Sequence, residues 1–176
     1  MALRIPRFLA GATLIATLLL AGHAPAGPKP HATRVHISKS KHVMELFDGD
    51  TLLASYNVAL GPGGAGNKHR EGDKVTPVGR YHVAFRGRSS AFHIFMGIDY
   101  PNADDRARFA KMRAAGELPH GATIGGAVGI HGGNPATWDS NEKIQDWTLG
   151  CIAVRDAEIE NVAAMVPNGT VVDIDD

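Results

Sequence analysis

The chain holds one cysteine, Cys151, within Asp146-Trp147-Thr148-Leu149-Gly150-Cys151-Ile152-Ala153-Val154, 20 residues after the histidine of Ile130-His131-Gly132-Gly133. A thiol becomes a nucleophile when a base takes its proton and backbone donors hold the oxyanion that its attack creates. His131 is the candidate base, and the N–H groups around Gly150 and Cys151 are the candidate donors. A solitary cysteine is more often a small buried hydrophobe without chemistry. Its company here weighs the other way: Gly150 lets a substrate approach the main chain, Trp147 and Thr148 are unusual neighbours for an inert thiol, and Ile152 to Val154 offers a rigid anchor.

A second chemically dense stretch lies upstream, in Lys68-His69-Arg70-Glu71-Gly72-Asp73-Lys74-Val75-Thr76-Pro77-Val78-Gly79-Arg80-Tyr81. Lys68, Arg70 and Lys74 are cations that can meet a substrate carboxylate; for any one of them, a solvated charged loop is the alternative. Gly61 to Gly66 satisfies a G-x-G-x-x-G pattern, yet Asn67 to Asp73 after it forms no amphipathic helix that could face a pyrophosphate, so dinucleotide binding is rejected. His36 and His42 lie on alternating segments and are read as solvent-facing. Metal ligation would need a convergent third ligand, which the sequence does not point to. Neither a metal nor a cofactor is expected.

These blocks together resemble the L,D-transpeptidase catalytic domain, the YkuD-type family. The family's His-Gly pair and its [Ser/Thr]-x-Gly-Cys-[Ile/Val] signature correspond to His131, Gly132, Thr148, Gly150, Cys151 and Ile152. Its Lys…Glu-Gly-Asp-x-x-Thr-Pro-x-Gly-x-Tyr block corresponds to Lys68 and to Glu71 through Tyr81. Asp99-Tyr100-Pro101-Asn102-Ala103-Asp104-Asp105-Arg106 is similar to the Ser-Tyr-Pro-Asn-x-x-Asp-Arg stretch of the murein branch, with Asp99 in place of the serine. Leu149 stands where many members have histidine, so any mechanism must run on His131 alone. Ala153 stands where many have arginine or asparagine, which leaves Arg155 as the nearby polar side chain.

The resemblance covers roughly residues 33 to 175. It implies Cys151 as nucleophile, His131 as base with its other ring nitrogen bonded to the Gly132 carbonyl, and Gly132 and Gly150 as catalytic backbone positions. Thr148, Lys68, Arg70, Tyr100, Trp147 and Arg155 are the expected substrate-binding residues, with packing as the alternative for Tyr100.

The elements that must position these residues read as follows. Arg34 to Ile37, His42 to Phe47 and Thr51 to Leu60 are consecutive strands of an antiparallel meander, with a turn at Asp48-Gly49-Asp50. Tyr81 to Phe85 and Ala91 to Met96 are two more, separated by the basic turn Arg86 to Ser90. Asn102 or Asp104 caps a helix running to about Ala115, ended by Gly116. Pro119 to Gly126 delivers the short strand that ends at His131. Asp156 is the expected N-cap of a helix from Ala157 to about Met165, and Pro167-Asn168-Gly169 turns into a last strand, Thr170 to Ile174. The expected class is therefore mainly β with two short helices, and the resemblance implies the transpeptidase β-sandwich or barrel-like fold.

At 176 residues the chain has room for one ordinary domain. Residues 1–26 read as a signal peptide: Arg4 and Arg7, an apolar core from Phe8 to Ala21, and a small-residue site at Ala24-Pro25-Ala26, with an uncleaved anchor as the alternative. Residues 27–32 are a flexible leader and 33–176 the catalytic domain. Lys plus Arg and Asp plus Glu number 18 each, so no general basic field supports nucleic-acid binding.

Export to the periplasm or cell envelope, as a monomer, is expected. The implied reaction is attack on a peptidoglycan tetrapeptide stem, release of D-alanine, and transfer of the acyl group to an amine of another stem or of a wall-attached lipoprotein. The alternatives are a hydrolase or amidase using the same acyl-enzyme and a catalytically silent wall-binding module. A sortase-like reading is disfavoured by the short His131-to-Cys151 separation, and a papain-like one by their order.

Overall fold

The computed structural model describes residues 30–133 and 145–176; the predicted signal peptide lies outside them, as does all of the leader before Pro30. Ala32, the last leader residue, is buried and donates its N–H to Met165 O at 2.8 Å.

Eight strands and two helices follow in the order β1 (Arg34–Ser38), β2 (Val43–Asp48), β3 (Thr51–Asn57), β4 (Gly79–Ser89), β5 (His93–Ile98), α1 (Ala103–Ala114), β6 (Gly129–His131), β7 (Ile152–Ala153), α2 (Asp156–Met165) and β8 (Val171–Asp175). The strand order is β3-β2-β1-β8-β4-β5-β6-β7. The β1-β2-β3 meander is antiparallel as predicted, and β8 joins it parallel to β1. Strand alternation makes the core: Val35 and Ile37, Met44 and Leu46, and Val172 and Ile174 point to one side and are buried. Each such side chain contributes about 1.5–3 kcal/mol of burial.

β4 couples the two ends of the sheet. Its first residues, Gly79 to His82, pair with β8, and Val83 to Ser89 pair with β5. The predicted turn at Arg86 to Ser90 is corrected: the strand continues through Ser89, because Arg86 and Arg88 are exposed edge-facing residues that a strand tolerates as well as a turn does. The predicted strand to Leu60 stops at Asn57, since Val58 to Leu60 peel off to meet the opposite edge. There Ala59 and Ala153 exchange two backbone hydrogen bonds of 2.8 and 2.9 Å, which draws the chain after β3 against β7 and gives the sheet its barrel-like closure.

Asn102 caps α1 by accepting the N–H groups of Asp104 and Asp105, while Asp105 accepts the Asn102 N–H in return. Gly116, at φ +73°, follows the helix end. For α2 the predicted cap is corrected from Asp156 to Arg155, whose N–H goes to Glu158 at 2.8 Å. The Asp156 carboxylate is turned elsewhere, accepting the Gly133 N–H at 3.1 Å. α2 packs on β5 and β6 through Ile159 and Val162, both fully buried.

Candidate functional site

β6 and β7 are very short, but they set the geometry of the site. They run parallel with Ile130 opposite Ile152 and His131 opposite Ala153, so one step back Cys151 falls opposite Gly129. Period-two alternation then puts Gly129, His131, Cys151 and Ala153 on one face. With strands about 4.8 Å apart and a two-residue offset, the Cα atoms of His131 and Cys151 lie about 8 Å apart on a diagonal, within converging reach of their side chains. Both line a cavity of about 730 Å³.

His131 is buried, in an aromatic box. Its ring centroid lies 4.4 Å from Phe92, 5.9 Å from Phe95 in a stacked arrangement, and 5.6 Å from the edge-on Trp147. Nδ1 donates to the Gly132 carbonyl, which fixes the tautomer and leaves Nε2 as the basic nitrogen. Burial pushes the imidazole below its ordinary value, and the Gly132 bond offsets this in part. The close aromatic cover requires small residues. A Cβ on Gly129 would sit 2.7 Å from Phe95 Cζ, and one on Gly132 would sit 2.6 Å from Asp156 Oδ1.

Cys151 is half-buried, with Sγ 3.6 Å from the Ala127 carbonyl oxygen. Burial raises its pKa, while a hydrogen bond with the Gly129 backbone and the charge of Lys68 pull it down. At neutral pH Cys151 is therefore a thiol and His131 a neutral imidazole. Ala127 holds φ +52°, an uncommon conformation for a residue with a side chain, beside the sulfur.

The loop before Cys151 is tied on both sides. Trp147 and Thr148 both donate their N–H to Leu60 O at 3.1 Å, and Asp146 accepts the Leu60 N–H at 2.7 Å. Thr148 Oγ1 donates to Cys151 O at 2.8 Å and accepts the Gly150 N–H at 3.1 Å. The Gly150 N–H, one of the expected oxyanion donors, is thus occupied by the Thr148 hydroxyl. Gly150 is needed for shape instead, since at φ +128° a Cβ would lie 2.8 Å from Val75 O. Trp147 Nε1 is the one buried side-chain polar atom without a hydrogen-bond partner among the described residues.

The predicted binding residues divide. Lys68, Trp147 and Thr148 line the cavity with His131 and Cys151. Lys68 is not a free cation, because its buried Nζ lies 2.6 Å from Asp73 Oδ1. Arg70, Tyr100 and Arg155 are not brought to the cavity. Arg70 Nη1 donates to the Glu71 carbonyl at 3.1 Å, and Arg155 caps α2 and pairs with Glu158 at 3.2 Å. Tyr100 is buried against Tyr81, its hydroxyl donating to Ile124 O at 3.2 Å, so packing is what the structure gives it. Phe92, Phe95, Glu71 and Leu149 line the cavity without having been singled out for it. The aromatic spacing in Phe92-His93-Ile94-Phe95 was the available signal for the first two.

Comparison with known proteins identifies the family and the fold. The sequence profile of the YkuD family, described as the L,D-transpeptidase catalytic domain, matches residues 32–174. Among solved structures, the helical cell shape determining protein Pgp2 from Campylobacter jejuni superposes with a TM-score of 0.59 at 23% identity, over 80% of this chain and 46% of that one. An L,D-transpeptidase from Xylanimonas cellulosilytica gives 0.52 at 17%, over 88% and 65%, and Bd1075 from Bdellovibrio bacteriovorus 0.53 at 18%, over 81% and 46%. At these identities the likeness is one of fold, and the chain spans about half to two thirds of these proteins' lengths. No curated protein sequence matches the chain.

Proposed function

The chain belongs to the L,D-transpeptidase catalytic domain family, and from that premise we propose that it is a cysteine-dependent peptidoglycan L,D-transpeptidase of the periplasm or cell envelope. The observation that supports this reading is that Cys151, just before β7, and a tautomer-fixed His131 on β6 line one cavity.

In the proposed reaction the donor is a tetrapeptide stem, held with the carbonyl of its third residue, a diamino acid, at Cys151 Sγ. His131 Nε2 takes the thiol proton as Sγ adds to that carbonyl carbon. The Cys151 N–H, which no described side chain occupies, serves as the oxyanion donor, and losing such a donor costs about 3 kcal/mol of transition-state stabilisation. Collapse breaks the amide bond, and His131 returns the proton to the departing D-alanine nitrogen. The thioester left on Cys151 is attacked by an acceptor amine, whose proton passes to His131 and then to the released sulfur. Phe92, Phe95 and Trp147 exclude water from the imidazole throughout, which favours aminolysis of the thioester over hydrolysis.

Incubation of the full chain with a defined tetrapeptide stem and an amine acceptor, with products identified by mass spectrometry, tests the proposal. D-Alanine and a cross-linked or conjugated product are expected, and neither with Cys151→Ala. A product trimmed by water alone would favour the hydrolase, and no product at all the silent wall-binding module.

A further inference from the structure

The cavity beside Cys151 carries an electrostatic asymmetry that the proposed chemistry leaves unused. Among the described residues its lining includes one cation, Lys68, and one carboxylate, Glu71. Lys68 is already matched by Asp73 at 2.6 Å, which leaves the exposed Glu71 as the charge without an ion-pair partner among the described lining residues. Three contacts hold it there. Its N–H donates to Thr123 O at 2.8 Å, Oε2 accepts from Thr123 Oγ1 at 2.5 Å, and Gly125, at φ +77°, packs so closely that an added Cβ would lie 3.2 Å from Glu71 Cβ. Its other oxygen, Oε1, has no hydrogen-bond partner among the described residues. The same segment continues from Gly125 to Ala127, whose carbonyl touches Cys151 Sγ at 3.6 Å, so the carboxylate and the thiol are set along one wall.

We infer that Glu71 determines substrate specificity by binding the side-chain ammonium of the diamino acid whose carbonyl Cys151 attacks. This rests on the acyl-transfer reading, because that reading puts this residue's carbonyl at Sγ, in the cavity that Glu71 also lines. A carboxylate with one fixed and one free oxygen is a pre-organised partner for a primary ammonium. The cleft would thereby reject a stem whose third residue carries a neutral side chain.

The experiment compares two tetrapeptides, one with the free side-chain amine and one with that amine acetylated. Calorimetry uses Cys151→Ala protein, with and without Glu71→Gln, and turnover uses the protein with Cys151 intact. Glu71→Gln keeps an acceptor for Thr123 and removes only the charge. The free-amine peptide is expected to bind at least about 10-fold more tightly than the acetylated one, and Glu71→Gln is expected to abolish the preference. Kd values that match for the two peptides with Glu71 present, a preference that survives Glu71→Gln, or no binding of either peptide would each overturn the inference. Failure of the acyl-transfer reading shows separately, as absence of turnover despite preferential binding.

Discussion

Lys68→Met and Asp73→Ala are expected to destabilise the protein unequally, although they break the same ion pair. The Lys68 side chain is 4% exposed, with Nζ 2.6 Å from Asp73 Oδ1 and 3.4 Å from Val75 O. Asp73 in addition accepts the N–H groups of His69 at 2.7 Å, Arg70 at 2.9 Å and Val75 at 3.0 Å. Burial pushes its carboxyl up, but Lys68 and the three backbone donors outweigh that and hold it below its ordinary value of 3.8. Without Lys68, Asp73 keeps three donors and partial access to water, so the loss is one charge-assisted bond, about 1.5–3 kcal/mol. Without Asp73, a buried ammonium keeps only a long carbonyl contact and three N–H groups lose their acceptor, at a cost of about 3–5 kcal/mol. Urea unfolding at neutral pH with matched m-values reads the difference. A loss on Lys68→Met equal to or larger than that on Asp73→Ala would refute the reasoning. Since the Lys68 charge also draws the Cys151 thiol down, Lys68→Met should in addition shift the pH dependence of iodoacetamide alkylation at Cys151 upward.

Further outcomes are expected from the same geometry. The pH profile of kcat/KM should have its acid limb below the ordinary histidine value of 6.5 and its alkaline limb above the ordinary thiol value of 9.0, because burial lowers His131 and raises Cys151; limbs inside that range would contradict the assignment. The depressed His131 pKa also means that the unfolded chain binds the proton more readily. Its contribution to stability should be present above pH 6.5 and lost as pH falls through the lower folded value, a slope that denaturant melts should find missing in His131→Asn. Asn102→Ala removes the acceptor of two α1 N–H groups and should cost about 1 kcal/mol by urea unfolding. Arg86→Ala removes the bonds from Nη1 to Ala163 O at 2.7 Å and Val166 O at 3.3 Å at the carboxyl end of α2, which has no basic residue of its own in its last turn, and should cost a similar amount.

The chain's strong local patterns were legible. Alternation in Arg34 to Ile37 and His42 to Phe47 gave the first two strands of the meander, and Asn102 or Asp104 and Gly116 bounded α1, because those signals arise within a few residues of each other. His131 and Cys151 were legible as a pair through residue type and motif. Their shared face was not, because β6 and β7 have three and two residues and no period can be read from so short a run. The long β4 was missed at Arg86 and Arg88, where charged side chains on an exposed edge look like a turn. Arg70 was drawn to the cleft by its charge and Arg155 by its place near Ala153, whereas the Glu71 carbonyl and Glu158, which they meet, lie one and three residues away. Asp156 was recognised as a helix-start residue but not as the acceptor that pins Gly133 beside the histidine, a contact that appears only when α2 packs against β6. Glu71 reaches the cleft through Thr123, 52 residues distant, a separation that no local pattern spans.

The most direct test of the central claim is intact-protein mass spectrometry after exposure to a carbapenem, an acylating agent expected for this family. A single covalent adduct should map to Cys151, be absent in Cys151→Ala, and form far more slowly in His131→Ala protein that retains its circular dichroism spectrum. An unmodified Cys151, or an adduct forming at an undiminished rate without the imidazole, would contradict the account.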